Sequence, residues 1–350
     1  MLVEQIEAKW LAVFENILAE LCHVRRGEVV AIVSESQSRA VLVQLAELAL
    51  LRLGAHVYQL RMPTPPLTQT VPLRSTGASL ALGGLRQVVE ALASADLIVD
   101  CTVEGLLHSP ERQALLASGA RLFMFSNEHP EVFERLKPQA LLQEKCAYGA
   151  RLITEAAVMR VTSRAGTDLT VKLDGISGRG VAGAAYAPRM GGFWPAGLCA
   201  CNPAAGAVSG TVVLAPGDAN LTFKRYMESP VRLTIEADYI TRIDGNGLDA
   251  ELMRSYFAAW NDREAYATSH LGWGMNPGAR WDALVMYDKG DVNCTELRAF
   301  AGNFLFSTGA NEFAGRFTAC HFDLPMRNCS VQLDDRYVVR EGTLSEDLRI

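Results

Sequence analysis

The sequence predicts an α/β protein: a doubly wound, mostly parallel N-terminal sheet followed by a β-rich α+β C-terminal domain. Two observations predict it. From residue 1 to about 157, helical apolar spacing alternates with short β-branched runs, the order that a parallel sheet with helical crossovers requires. From 158 to 350, strand-like runs separated by glycine turns replace that alternation, and only one clear helix interrupts them. The expected units are therefore a doubly wound domain over 1–157 and a β-rich catalytic domain over 158–350.

Each element of the first unit has a local reason. An amphipathic helix between Met1 and His23 carries Trp10, Phe14 and Leu18 on one side, and Glu28 to Val33 then reads as a buried strand. Helical spacing returns from Arg39 to Leu53 and stops at Gly54, a C-terminal cap signal. His56 to Leu60 is a second strand, followed by a loop with Pro63, Pro65, Pro66 and Pro72. A helix from Leu85 to Ala95 leads to a strand at Leu97 to Asp100. Ser109-Pro110-Glu111 marks the next helix start, and Leu122 to Phe125 forms the fourth strand. The loop after the first strand, Ser34 to Ser38, lacks the glycines that bring backbone to a pyrophosphate, so the layout is nucleotide-like without the fingerprint.

In the second unit, strands are expected at Arg160 to Thr162, Leu169 to Lys172, Thr211 to Leu214, Val231 to Thr241 and Ala283 to Tyr287. Turns fall at Pro216-Gly217-Asp218 and Gly245-Asn246-Gly247, and the helix spans Leu248 to Trp260.

Composition excludes several functions. With 350 residues, 49% hydrophobic content and a net charge of −6, the chain can bury a large core and offers no basic footprint for nucleic acid or anionic membrane. The first residues lack a basic n-region and an uninterrupted apolar stretch, and no window has the roughly 18 apolar residues of a membrane span. A cytoplasmic protein is expected. Its eight cysteines form no CxxC pair, which favours buried reduced thiols over a structural zinc site.

The chemistry concentrates near the end of the chain, in Cys320-His321-Phe322-Asp323-Leu324-Pro325-Met326-Arg327-Asn328-Cys329. Residues two apart share one face of a strand, so His321 and Asp323 would point together. His270, in Thr268-Ser269-His270-Leu271-Gly272-Trp273-Gly274, is the best third ligand, its glycines allowing backbone and metal to approach closely. Two histidines and a carboxylate with open positions opposite suit non-haem Fe(II) and oxygen chemistry. On spacing alone, a metal site and a set of satisfied interior side chains are evenly balanced.

His108, in Leu106-Leu107-His108-Ser109-Pro110, falls at the carboxyl edge of the sheet, where it reads equally as a general base or as a residue packed on its own helix. His23, His56 and His129 read as structural or solvated. Ser307 has no nucleophile elbow around it, so a ligand contact or a strand-end hydroxyl is expected.

Three segments, Ser269 to Gly274, Gly302-Asn303-Phe304-Leu305-Phe306-Ser307-Thr308-Gly309 and Cys320 to Cys329, closely resemble the 2,5-dihydroxypyridine 5,6-dioxygenase family of bacterial nicotinate and nicotine degradation. Leu107-His108-Ser109-Pro110 and Trp194-Pro195 extend the resemblance through nearly the whole chain. It implies that His270, His321 and Asp323 bind Fe(II), and that a dihydroxypyridine is opened with O₂ to N-formylmaleamate. It also implies that His108 takes a proton from the substrate hydroxyl, that Ser307 holds substrate or oxygen, and that Phe193 and Trp194 line the substrate. A homo-oligomer, with a hexamer as one candidate form, is a further implication. One departure concerns substrate: the family pattern has a histidine before the Trp-Pro pair, and here that residue is Phe193. It points to a differently substituted hydroxypyridine as an alternative substrate.

The family shares its general fold with thermophilic metallo-aminopeptidases, which supplies a rival reading. A two-metal peptidase needs further bridging carboxylates, for which Glu251 and Glu296 are the candidates. A metal-free binding scaffold is a third reading. Metal content separates them: one iron, two divalent ions, or none.

Overall fold

The computed structural model describes residues 5–66 and 79–350. Pro72, within the proline-rich loop, and the first four residues of the expected N-terminal helix lie outside them. Helix α1 (Ala8–Cys22) buries Trp10, Phe14, Ile17, Leu18 and Leu21, and ends where His23 turns left-handed at φ 48°. Strand β1 (Val29–Glu35), helix α2 (Ala40–Arg52) and strand β2 (His56–Met62) follow. Next come α3 (Arg86–Ala93), β3 (Leu97–Asp100), α4 (Arg112–Ala117) and β4 (Arg121–Phe125).

The strands pair in parallel in the order β2-β1-β3-β4, and the strand Gly191–Trp194 completes the sheet beside β4. Alternation along each strand supplies both faces. Val30, Ile32, Leu97, Val99 and Phe123 pack with α1 and α2, whereas Ala31, Val33, Ile98 and Leu122 pack with Leu92 and Leu115 of α3 and α4. Such two-sided burial explains the continuous apolar runs in the sequence. The order in which strands are added reverses between β1 and β3, the place where open α/β sheets leave a crevice beyond their carboxyl ends.

Helix α5 (Pro130–Arg135) begins at His129, whose Nδ1 accepts from the Glu131 N–H, and α6 (Ala140–Glu155) leads out of the first layer. Two large antiparallel sheets and a two-stranded ribbon, Ala219–Asn220 with Arg225–Tyr226, follow. One has eight strands and includes Val158–Ser163, Asp168–Lys172 and Cys329–Leu333. The other has five, in the order Arg316–Met326, Phe304–Asn311, Thr268–Gly274, Leu198–Cys201 and Arg179–Val181. Helix α6 lies directly on that last strand, since a Cβ at Gly180 would stand 2.5 Å from the Cys146 carbonyl oxygen. Helix α7 (Leu248–Trp260) matches its sequence expectation, and the short α8 (Glu296–Ala299) precedes the strand Phe304–Asn311.

Three local expectations are corrected. Ala283 to Tyr287 is not a strand. The run Trp281–Val285 is a 3₁₀ helix with Val285 74% exposed, so an apolar stretch too short to show a period was given the wrong one. Helix α4 starts at Arg112 rather than at Ser109, whose carbonyl, not its hydroxyl, receives the Arg112 N–H. Val231 to Thr241 divides into two strands, Val231–Glu236 and Tyr239–Asp244, because Ala237 and Asp238 turn at φ 45° and 79°.

Candidate metal centre

The site forms where three adjacent strands bring side chains into one row. Asp323 lies opposite Ser307 in the antiparallel register, and His321 lies opposite Gly309. On the far side of Ser307 the register shifts: Thr268 pairs with Thr308, but Leu271 pairs with Phe306. Three steps on one strand therefore match two on the other, a β-bulge at Ser269 and His270 that re-aims the histidine toward Ser307 and Asp323. Between the two sites of the H-x-D pair, Phe322 turns inward and stacks on Tyr256 at 4.7 Å. Strand alternation thus puts His321 and Asp323 on one face and Phe322 in the core, as the spacing predicts.

The glycines around His270 have a different purpose from the one expected. A Cβ at Gly272 would lie 1.9 Å from the Cys199 carbonyl oxygen, and one at Gly274 would lie 2.1 Å from that of Phe300. They admit neighbouring backbone, not a metal. Gly309 is required at the site itself, with φ at 110° and a Cβ position 3.2 Å from the His321 Cα.

His270, His321 and Asp323 present donor atoms that all lie within 4.8 Å of one another. Asp323 Oδ1 stands 3.6 Å from His270 Nε2 and 3.4 Å from His321 Nε2, and the side chains are 2%, 14% and 10% exposed respectively. The Ser307 hydroxyl donates to Asp323 Oδ1 and lies 3.0 Å from His270 Nε2. Burial holds the His270 imidazole down at about 3 despite the opposing pull of Asp323, so it is neutral at pH 7. Burial works to raise Asp323, yet His321, Arg298 and His270 outweigh it and hold the carboxyl well below its usual range. A neutral imidazole and an ionised carboxylate are the ligating forms, and the donor set fits a divalent ion such as Fe(II) with positions left open.

His108 reaches this centre from the first layer. Its ring centroid lies 5.0 Å from that of His321, and its side chain keeps 34% of its surface open. The loop that delivers it is tied to the ends of β1 and β3. Asp100 accepts from the Thr102 N–H at 2.9 Å, the Thr102 hydroxyl at 2.7 Å and the Leu106 N–H at 2.6 Å, while Glu35 accepts from the Val103 N–H at 2.7 Å. Crowding by surrounding atoms first, then His321 and His270, hold the His108 pKa well below its ordinary value.

Phe193 and Trp194 face opposite ways. Trp194 is fully buried and its indole N–H donates to the Leu136 carbonyl at 2.8 Å, which makes it a core residue. Phe193 is half-buried and pairs with Met124. The carboxylates of the peptidase reading stand apart from the ligand cluster. Glu296 is held by Arg135 at 2.6 and 2.8 Å, and Glu251 is exposed on α7.

Sequence reasoning missed Arg298, whose Nε donates to Asp323 Oδ2 at 2.5 Å, and it missed the carboxylates that build the surroundings. Asp100 followed two residues later by Thr102 carries a readable Asx-turn signal at a strand end. Nothing local marks Arg298.

A doubly wound sheet joined to antiparallel sheets, with a two-histidine, one-carboxylate cluster that could hold a metal ion, defines the class of α/β protein to which the chain belongs. A profile of the 2,5-dihydroxypyridine 5,6-dioxygenase family matches residues 9–346, and the chain belongs to that family. It is 37% identical over 339 residues to the 2,5-dihydroxypyridine 5,6-dioxygenase of Pseudomonas putida KT2440, covering 96% of this chain and 95% of the relative. The solved structure of 2,5-dihydroxypyridine dioxygenase from Pseudomonas putida KT2440 superposes with a TM-score of 0.92 at 36% identity, over 99% of this chain and all of that one. AmpT from Thermus thermophilus shares the fold at 13% identity, with a TM-score of 0.64 over 96% of this chain and 98% of that one.

Proposed function

We propose that this chain opens the ring of a dihydroxypyridine with O₂, using Fe(II) held by His270, His321 and Asp323. The observation that carries the reading is the convergence of those three donors within 4.8 Å, with the His108 ring facing them. When bound, Fe(II) supplies the redox chemistry that lets an electron-rich ring react with dioxygen. The chain's own residues prepare that ring.

His108, neutral at pH 7, accepts the proton of a substrate hydroxyl. Glu312 Oε1, 4.0 Å from His108 Nδ1, sets negative charge beside the ring as it becomes positive. The Ser307 hydroxyl, which donates to Asp323 and stands 3.0 Å from His270 Nε2, holds both ligands in orientation and keeps a lone pair to accept from a substrate N–H or O–H. Phe193 supplies an apolar wall where the family pattern has a hydrogen-bonding histidine, so the ring position beside it favours an unsubstituted or apolar edge.

Anaerobic loading with Fe(II), followed by oxygen uptake and loss of ring absorbance with 2,5-dihydroxypyridine, tests this function. One O₂ consumed per ring, with N-formylmaleamate as product, is expected; a chain that binds no iron would refute it. The same reading makes the protein a cytoplasmic homo-oligomer. Eight free, buried cysteines suit a reducing compartment, and Phe313 and Phe317, 75% and 72% exposed, offer apolar surface to a second copy. Sedimentation that gave a monomer would remove the oligomer.

Among the described residues no helix is long and apolar enough to cross a membrane.

A further inference from the structure

We propose that Arg298 is a positioning residue that keeps Asp323 a one-oxygen ligand. This rests on the metal reading above and deepens it. The two carboxylate oxygens of Asp323 have different neighbours. Oδ1 faces His270 Nε2 and His321 Nε2 at 3.6 and 3.4 Å, whereas Oδ2 receives the Arg298 Nε–H at 2.5 Å. Both side chains of the pair are buried, at 13% and 2% exposed, so water competes little for that bond.

The arm that carries Arg298 is held at several points. Asn303 donates to the carbonyls of Leu297 and Arg298 at 3.0 and 2.9 Å, and its own oxygen receives the Gly274 N–H from the strand that bears His270. Glu296 is fixed by Arg135 and by the Arg280 N–H at 2.9 Å. From the first layer, Glu128 accepts the N–H groups of Asn293, Cys294 and Thr295 at 3.1, 3.2 and 2.7 Å. The backbone that carries Arg298 is therefore anchored to both layers.

The consequence is a count of positions. An aspartate that chelates through both oxygens takes two sites on an octahedral ion. One whose second oxygen is engaged takes a single site. With two imidazoles and one oxygen from the protein, three positions remain. A chelating carboxylate would take one of the three, leaving fewer for molecules from outside the protein.

Two substitutions separate the donor from the charge. Arg298→Gln places an amide N–H close to where Arg Nε stands and removes the positive charge. Arg298→Met keeps length and removes the donor. The measurement is X-ray absorption of the anaerobic Fe(II) protein, which shows a short metal–carbon vector when a carboxylate chelates, paired with Fe(II) affinity by equilibrium dialysis. Wild type and Arg298→Gln are expected to lack that vector and Arg298→Met to show it, with Arg298→Met changing Fe(II) affinity about 10- to 100-fold. A chelating vector in wild type, or spectra and affinities identical in all three proteins, would overturn the role of Arg298 while leaving the iron site intact. Arg298→Gln behaving like Arg298→Met would overturn it too. Failure of wild type to bind Fe(II) would overturn the metal reading and this inference together.

Discussion

Ser307 lies directly across the antiparallel register from Asp323, and its hydroxyl donates to that carboxylate while standing 3.0 Å from His270 Nε2. One small hydroxyl thus touches two of the three proposed ligands. Removing it in Ser307→Ala should lower activity about 10- to 100-fold while one iron per chain is retained, because a partner that orients ligands is lost and no ligand is. Metal analysis beside steady-state turnover checks this, and unchanged turnover would show that Ser307 is only a strand residue.

His270→Ala, His321→Ala and Asp323→Ala should each abolish iron retention, since each removes a protein donor from a set of three. Iron content after gel filtration under anaerobic conditions is the readout. A triple variant that stayed loaded and active would place the metal elsewhere.

His108→Ala should leave iron bound and reduce turnover by roughly 10²- to 10⁴-fold, the usual span for a general base. The ring stands beside His321 without belonging to the ligand cluster. Turnover equal to wild type would withdraw the proton-accepting role.

Phe193→His tests substrate choice. If Phe193 walls the ring, a restored hydrogen-bonding side chain should improve kcat/KM for 2,5-dihydroxypyridine several-fold, in line with about 1 kcal/mol for one hydrogen bond. A drop instead would mean that the pocket is shaped around the phenyl ring.

Asp100 gives a pH signature in stability. Burial pushes its carboxyl up to about 6 from the ordinary 3.8, against hydrogen bonds from Thr102 and Leu106 that favour the ion. Between those values the folded protein holds more protons than the unfolded chain. The contribution is therefore full below the unfolded value and is lost as pH rises through the folded one, a span of roughly 3 kcal/mol. Asp218 is also pushed up to about 6 by burial and adds a slope of the same sign. Asp100→Asn should flatten the fall in urea midpoint from about pH 4 to about pH 6, and a slope identical to wild type would reject the assignment.

The sequence made the first layer readable because parallel strands buried on both faces are written as uninterrupted apolar runs, as in β1 and β4. It made His321 and Asp323 readable because strand period places i and i+2 together. His270 was picked out by its glycine-rich setting, but those glycines admit neighbouring backbone; what aims its ring is a β-bulge, which obeys no period. Arg298 was not legible at all. Its placement depends on how Glu128 and Arg135, far earlier in the chain, and the nearby Asn303 hold α8 and the residues beside it. The full burial of Trp194 and its bond to the Leu136 carbonyl were likewise invisible in one dimension.

The strand Gly191–Trp194 is the last member of a sheet whose other four strands end at Phe125. Cutting the gene near residue 157 would therefore leave an N-terminal fragment with a raw edge along β4 and a C-terminal fragment carrying an orphan strand. Neither half would then hold the complete five-stranded sheet, so the two parts of the chain share one folding unit across that cut.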